Sequence, residues 1–345
     1  MIPAIFGLSG PALSPEERAF FRDADPAGYI LFGRNVVDPA QLRALTDDLR
    51  ALHGRDRLLV CIDQEGGRVA RMKPPHWGTY PAQGRFDQLY DIAPVSAIEA
   101  ARANAEAIAL DLAEAGITVD CLPLLDVRQP GADDVIGDRA LGAEPMRVAA
   151  LGRAVLDGLA RGGVTGVVKH VPGHGRATAD SHKHLPTVTA NATELATDLA
   201  PFIALAHHGE ALAPAKIAMT AHVCYTAWDD SAPATLSARV IGDVVRGAIG
   251  FQGLLLSDDL DMDALSGSIA QRAARAVGAG CDLALNCWAR MPDMVAIAAA
   301  LGPITADGAA RLADALAATD IDPVDAAGRR ADLVARRDAL LALAP

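Results

Sequence analysis

Apolar residues recur along the chain as eight short continuous runs, at residues 4–8, 28–32, 58–62, 118–121, 166–170, 216–220, 253–257 and 282–286. Most do not alternate with polar positions, so they predict strands buried on both faces of a parallel sheet. Helix signals lie between them. Ser14-Pro15-Glu16-Glu17 and Asp38-Pro39 each place a capping residue before a proline at the first helical position. Good helix formers run from 96 to 115 and stop at Gly116, and further helices are predicted at about 144–161, 193–208, 237–249 and 269–279. Strands alternating with helices favour an α/β fold with a parallel sheet, and eight of them fit a single (β/α)8 barrel. An open doubly wound sheet is the alternative, but no G-x-G-x-x-G follows the first strand to support a dinucleotide fold.

No interdomain linker interrupts the pattern, so residues 1–345 are expected to form one barrel domain. Two stretches read as long loops: 73–94, rich in Pro, Gly and aromatics, and 173–186, crowded with His, Asp and Gly. The Ala-rich region after Pro303 is expected to be helical and to pack on the outside of the barrel.

Composition narrows the class. Hydrophobic residues make up 51% of the chain, enough for a large core, and the net charge of −12 argues against a nucleic-acid surface. No apolar run is long enough to span a bilayer, and the N-terminus lacks the basic and apolar segments of a signal peptide. The five cysteines form no C-x-x-C pair and sit mostly in or beside apolar runs, as reduced, packed thiols do. A cytoplasmic protein that acts as a monomer, without nucleic-acid or membrane partners, is the expectation.

In a barrel of this kind the chemistry gathers at the C-terminal ends of the strands. The third run leads into Asp63-Gln64-Glu65-Gly66-Gly67-Arg68, with Arg71 close behind, and Asp126 and Gly137-Asp138-Arg139 follow the fourth. The fifth ends in Lys169-His170 and continues through Pro172-Gly173-His174-Gly175 to Asp180-Ser181-His182. The sixth supplies His222, the seventh Ser257-Asp258-Asp259 and the eighth Asn286. Ionisable groups therefore collect at one rim.

These segments carry a resemblance. Asp63-Gln64-Glu65-Gly66-Gly67-Arg68-Val69, Lys169-His170-Val171-Pro172-Gly173-His174-Gly175, Asp180-Ser181-His182 and Ser257-Asp258-Asp259-Leu260-Asp261-Met262 resemble the signature motifs of family 3 glycoside hydrolases. The likeness is to the short cytoplasmic β-N-acetylglucosaminidases of peptidoglycan recycling. Val171 and Asp261 depart from the family pattern, which usually has Phe and a small polar residue there. The resemblance implies that Asp258 is the nucleophile and His182 the general acid/base, with Asp180 as its partner. It further implies that Asp63, Arg71, Arg139, Lys169 and His170 bind the sugar. The implied substrates are N-acetylglucosaminyl muropeptides, cleaved with retention through a covalent glycosyl-aspartate, and no cofactor or metal is called for. An imidazole suits the acid/base role, because a neighbouring carboxylate favours its protonated form and fixes its tautomer. Gly residues flank the loop that carries the pair, so closure over bound sugar is expected.

Other readings stand beside this one. A β-glucosidase or an N-acetylglucosaminide phosphorylase fits the same barrel, and a zinc hydrolase using His170, His174 and His182 is the rival from another class. An Asp-Asp pair after a strand also serves as a helix cap. The choice of Asp258 over Asp259 rests on the resemblance and on its place directly after the strand. Asp126 is read as support for the binding lysine, and His222 as support rather than an acid.

Overall fold

The protein is described by a computed structural model covering residues 1–206 and 215–344. Its eight main strands are β1 (Ile2–Gly7), β2 (Pro26–Leu31), β3 (Leu59–Ile62), β4 (Val119–Asp120), β5 (Thr165–Val171), β6 (Ile217–Thr220), β7 (Leu254–Asp259) and β8 (Leu283–Asn286). All neighbouring pairs are parallel and occur in chain order. β1 pairs with both β2 and β8, as in Ala4 against Ala284, so the sheet closes on itself. The closed barrel replaces the open-sheet alternative. Each strand lies within about two residues of its expected run.

The continuous apolar runs have the burial they imply. Ile5, Ile30, Leu59, Val119, Val167, Ile217, Leu254 and Leu283 fill the interior of the barrel. Ala4, Phe6, Tyr29, Leu31, Val60, Val168, Ala218 and Leu255 face the surrounding helices. Alternate residues of one strand thus serve two cores.

The helices start where their caps place them. Ser14 accepts from Glu17 N at 3.1 Å and Asp38 from Gln41 N at 2.8 Å, opening helices Pro15–Ala24 and Pro39–His53. Pro94–Glu114, Pro145–Arg161 and Ile269–Ala279 match their expected spans closely. The helix expected at 193–208 is seen as Ala192–Ala206, and residues 207 and 208 lie outside the described residues. Residues 240–248 are helical with the wider i→i+5 winding. The expected loop at 73–94 contains about two helical turns, Gly84–Tyr90, with Phe86 and Leu89 buried. The 173–186 stretch does lack regular structure until Thr187–Val188, which pairs with Cys224–Tyr225.

The C-terminal region corrects its expectation in part. Helix Ala326–Leu341 packs outside, against Pro94–Glu114, with Arg330 bridging Asp111 at 2.8 Å and Glu114 at 2.6 Å. Helix Ala306–Ala315 instead closes the barrel from below. Its Leu312 and Ala315, with Leu316, join the interior cluster, and Thr165 Oγ1 donates to Ala315 O at 2.7 Å. Arg311 bridges Asp282 and Lys216 bridges Asp314, both anchoring to the N-terminal ends of strands. The apolar interior residues at that end, Leu59, Ile217, Leu254 and Leu283 among them, need cover, and an amphipathic helix supplies it. Leu312→Ala is therefore expected to lower unfolding free energy by about 2–3 kcal/mol in urea titration. A change below about 0.5 kcal/mol would mark an exposed helix instead.

Candidate functional site

The C-terminal ends of the strands surround a pocket of about 180 Å³. Asp63, Arg71, Arg139, Lys169, His170, His182 and Asp258 all line it, and Asp180 stands behind His182 in an adjoining pocket. The eight residues singled out from the sequence are thus brought together.

The β3 loop builds one wall. Gly66, at φ +92°, turns the chain, and a Cβ there would lie 2.3 Å from Pro81 O. Gln64 Oε1 accepts from the N–H groups of Arg71 and Met72 at 2.8 and 3.1 Å, which folds the loop back and sets Arg71. Arg71 then bridges Asp63 at 3.1 Å and lies 5.2 Å from the Phe32 ring centroid.

Lys169 lies in the floor with a side chain only 2% exposed. A buried ammonium persists as a cation only with anions beside it. Asp63 at 3.0 Å and Glu65 at 2.7 Å supply them, and Glu65 also takes both arms of Arg139 at 2.8 Å each. Burial pulls the lysine pKa down, but Glu65 and Asp63 outweigh it and hold Lys169 above its ordinary value. Burial pushes both carboxyls up, and Lys169 with the arginines drives each below the usual carboxylate range. Glu65 had no assigned role at the sequence level. The signal available was its place two residues beyond Asp63, together with the need of two buried cations for two anions.

Asp126 corrects its expectation. It does not touch the lysine. Its Oδ2 meets His170 Nδ1 at 2.8 Å, and its Oδ1 accepts the backbone N–H groups of His170 at 3.1 Å and His174 at 2.7 Å. Burial raises this carboxyl and His170 more than compensates, leaving it at about 2. Asp126 therefore orients His170 and pins the start of the β5 loop. Gly175 crosses so close to this wall that a Cβ would lie 2.0 Å from Val127 O.

His182 is 63% exposed at its side chain and carries Asp180 Oδ1 on Nδ1 at 2.7 Å; Asp180 also accepts the backbone N–H of His182 at 2.9 Å. Burial raises Asp180, but these contacts together bring it below its ordinary value. His174 shares a hydrogen bond with Ser181 at 3.1 Å, and burial lowers its pKa to about 4. His222 is fully buried, with Thr235 Oγ1 on Nδ1 and Asp259 O on Nε2, a supporting position as expected. The three histidines of the zinc reading each commit one nitrogen to a different partner. Among the described residues no group of three His, Cys, Asp or Glu side chains is placed to hold a metal ion.

Asp258 and Asp259 end β7, and the fold treats them differently. Asp258 Oδ1 accepts only the Asp259 N–H, at 2.8 Å, and no cation lies within ion-pair distance among the described residues. Burial raises it, but the fields of His170 and His222 and that N–H win, so its pKa sits below the ordinary value. Asp259 Oδ1 accepts from Asp261 N and Cys287 N at 3.1 and 3.2 Å. Burial and the Asp261 charge nevertheless push it up to about 7. The unusual Asp261 has its own partners, Asn286 at 2.6 Å and Arg290 at 2.8 Å.

A polar pocket at the C-terminal mouth of a parallel barrel, with fixed cations and one unpaired carboxylate, belongs to an enzyme acting on a small, hydroxyl-rich substrate. A family model for the glycosyl hydrolase family 3 N-terminal domain matches residues 7–315. A β-hexosaminidase of Bordetella avium is 37% identical over 333 residues, spanning 95% of this chain and 92% of its own length. One of Alkalilimnicola ehrlichii is 41% identical over 288 residues, 83% of this chain and 80% of its own. Among solved structures, NagZ from Neisseria gonorrhoeae in complex with N-trifluoroacetyl-D-glucosamine superposes with a TM-score of 0.85 at 32% identity, covering 99% of this chain and 98% of that one. The chain belongs to glycosyl hydrolase family 3, as its motifs imply, and is a glycoside hydrolase.

The buried charge cluster generates a prediction. Asp63 and Glu65 have folded pKa values below their unfolded ones, so their stabilisation is complete above about pH 4.5 and fades as pH falls through the depressed values. Glu65→Gln leaves Lys169 with Asp63 as its one carboxylate contact and Arg139 with none among the described residues. It is expected to cost about 3–5 kcal/mol at neutral pH and to flatten the acid loss of stability, both read from urea unfolding across pH.

Proposed function

We propose that this glycoside hydrolase is a retaining β-N-acetylglucosaminidase that removes terminal, non-reducing N-acetylglucosamine from peptidoglycan fragments. The relatives named β-hexosaminidase support the glycosidase type, and the motif resemblance supports the muropeptide substrate. The observation that carries the mechanism is the state of Asp258: it is the pocket carboxylate held ionised with no cation bound to it. Asp63 and Glu65 are tied to lysine and arginine, Asp126 to His170, and Asp259 is held partly protonated near neutral pH.

In this reading Asp63, Arg71, Arg139, Lys169 and His170 hold the sugar's hydroxyl and acetamido groups. Asp258 attacks the anomeric carbon as the C–O bond breaks, and its electron pair stays with the leaving oxygen, which takes the proton of His182. Asp180 occupies Nδ1, so the proton leaves from Nε2. Neutral His182 then takes a proton from water as the water oxygen attacks the same carbon and the carboxylate of Asp258 departs. The exposure of His182 supports closure of its loop on bound sugar. Five buried free cysteines support a reducing compartment, and no helix among the described residues is long and apolar enough to cross a membrane.

Asp258→Ala is expected to lower kcat by roughly 10⁴-fold, and His182→Ala by about 10² to 10⁴-fold on substrates with a sugar leaving group. On an activated aryl β-N-acetylglucosaminide, whose leaving group departs without an acid, azide should restore turnover of the His182→Ala enzyme and yield the β-glycosyl azide, detectable by mass spectrometry. Full activity of either variant would refute the assignment.

A further inference from the structure

The tip of the β5 loop, residues 178–185, has no regular strand or helix, yet it carries the proton donor of the proposed reaction. Lys183 N and His184 N both donate to Asp180 O at 3.0 Å, which winds the tip on itself without fixing it to the barrel. Among the described residues the tip makes two hydrogen bonds to the rest of the molecule. One runs from Asp263 N to His182 O at 3.4 Å, beyond the usual range for a good N–H···O contact. The other joins Ser181 Oγ to His174 Nε2 at 3.1 Å.

Ser181 is the one buried member of the tip, 3% exposed, although it stands between Asp180 and the largely exposed His182. A buried hydroxyl needs a partner, and His174, itself 3% exposed, supplies it. His174 is held from behind in turn. Its backbone N–H donates to Asp126 Oδ1 at 2.7 Å, and Asp126 Oδ2 meets His170 Nδ1 at 2.8 Å. The two imidazoles meet edge to face, with ring centroids 5.7 Å apart. With its pKa at about 4, the His174 ring is neutral near neutral pH and offers Ser181 one N–H or one lone pair. Its buried Nδ1 has no partner, so among the described residues Ser181 takes the ring's single hydrogen bond. His170, Asp126, His174 and Ser181 thus form a line of direct contacts from the sugar pocket to the acid/base loop.

We propose that Ser181 and His174 are positioning residues of the reaction: their hydrogen bond anchors the loop so that the His182 imidazole stands where the leaving oxygen meets it. The proposal rests on His182 as the acid/base, and neither anchor residue passes a proton to the sugar. Without the anchor Asp180 still bonds His182, but the pair is spread over more positions, and the share of complexes with the proton in reach of the oxygen falls. Attack by Asp258 is untouched. A glycoside whose leaving group needs no proton should therefore react as before.

Two substrates test this through kcat/KM: N,N′-diacetylchitobiose, whose sugar leaving group needs the proton, and 2,4-dinitrophenyl β-N-acetylglucosaminide, whose phenolate does not. Ser181→Ala is expected to lower the first about five- to tenfold, the scale of one lost hydrogen bond, and to leave the second within about twofold. Ser181→Thr, which keeps the hydroxyl, should recover most of the loss. His174→Leu should show the same selective fall, and the two changes combined no more than the larger single effect, since both remove one bond. An unchanged disaccharide rate in Ser181→Ala, an equal fall on both substrates, or fully multiplicative effects in the double variant overturn the anchor. The acid/base assignment fails by a different result, undiminished disaccharide hydrolysis by His182→Ala, and the anchor's role falls with it.

Discussion

Everything at the mouth of this barrel is arranged around a lysine that water does not reach. Lys169 comes from a strand whose other residues pack on both faces, so its ammonium has nowhere to go but into the pocket floor. Keeping it charged requires two carboxylates, and those carboxylates in turn fix two arginines from the β3 and β4 loops. The result is a rigid polar floor drawn from three strands, set before any substrate arrives. Such a cluster adds little net stability compared with an apolar one, so its value lies in the geometry it holds.

The same cluster explains why Asp258 stands out. Carboxylates that neutralise buried cations are poor nucleophiles, because their electron pairs are already engaged. Asp258 feels positive field from His170, His222 and more distantly Lys169, yet it bonds none of them. One residue later the balance reverses. Asp259 faces Asp261 instead of a histidine and is pushed toward its protonated form. Two adjacent aspartates thus receive opposite ionisation from their surroundings, in the pattern by which barrel and non-barrel hydrolases separate the tasks of paired carboxyl groups.

Most of the fold was legible in the chain. Continuous apolar runs report strands buried on both faces, and Ser14, Asp38 and Gly116 report helix ends through local hydrogen bonding and φ. What local pattern does not report is where a helix goes. The amphipathic face of Ala306–Ala315 reads the same whether it covers the side of the barrel or its open end. Only the apolar barrel interior built by the strands decides. The site shows the same division. Asp63, Arg71, Arg139, Lys169, His170, Asp180, His182 and Asp258 were visible as motif residues after strands. Glu65 and the true partners of Asp126 were not, since pairing among buried charges depends on neighbours about 40 to 110 positions apart in the chain. The difference between Asp258 and Asp259 was only half visible, because Asp261 lies two residues on in the chain whereas His170 and His222 reach Asp258 from β5 and the end of β6.

The central claim is that the unpaired carboxylate at the end of β7 forms the bond to the sugar. Incubation with a 5-fluoro N-acetylglucosaminyl donor, followed by proteolysis and mass-spectrometric mapping of the trapped adduct, tests it directly. The account predicts one glycosylated residue, Asp258. A label on Asp259, Asp63 or any other side chain would contradict it.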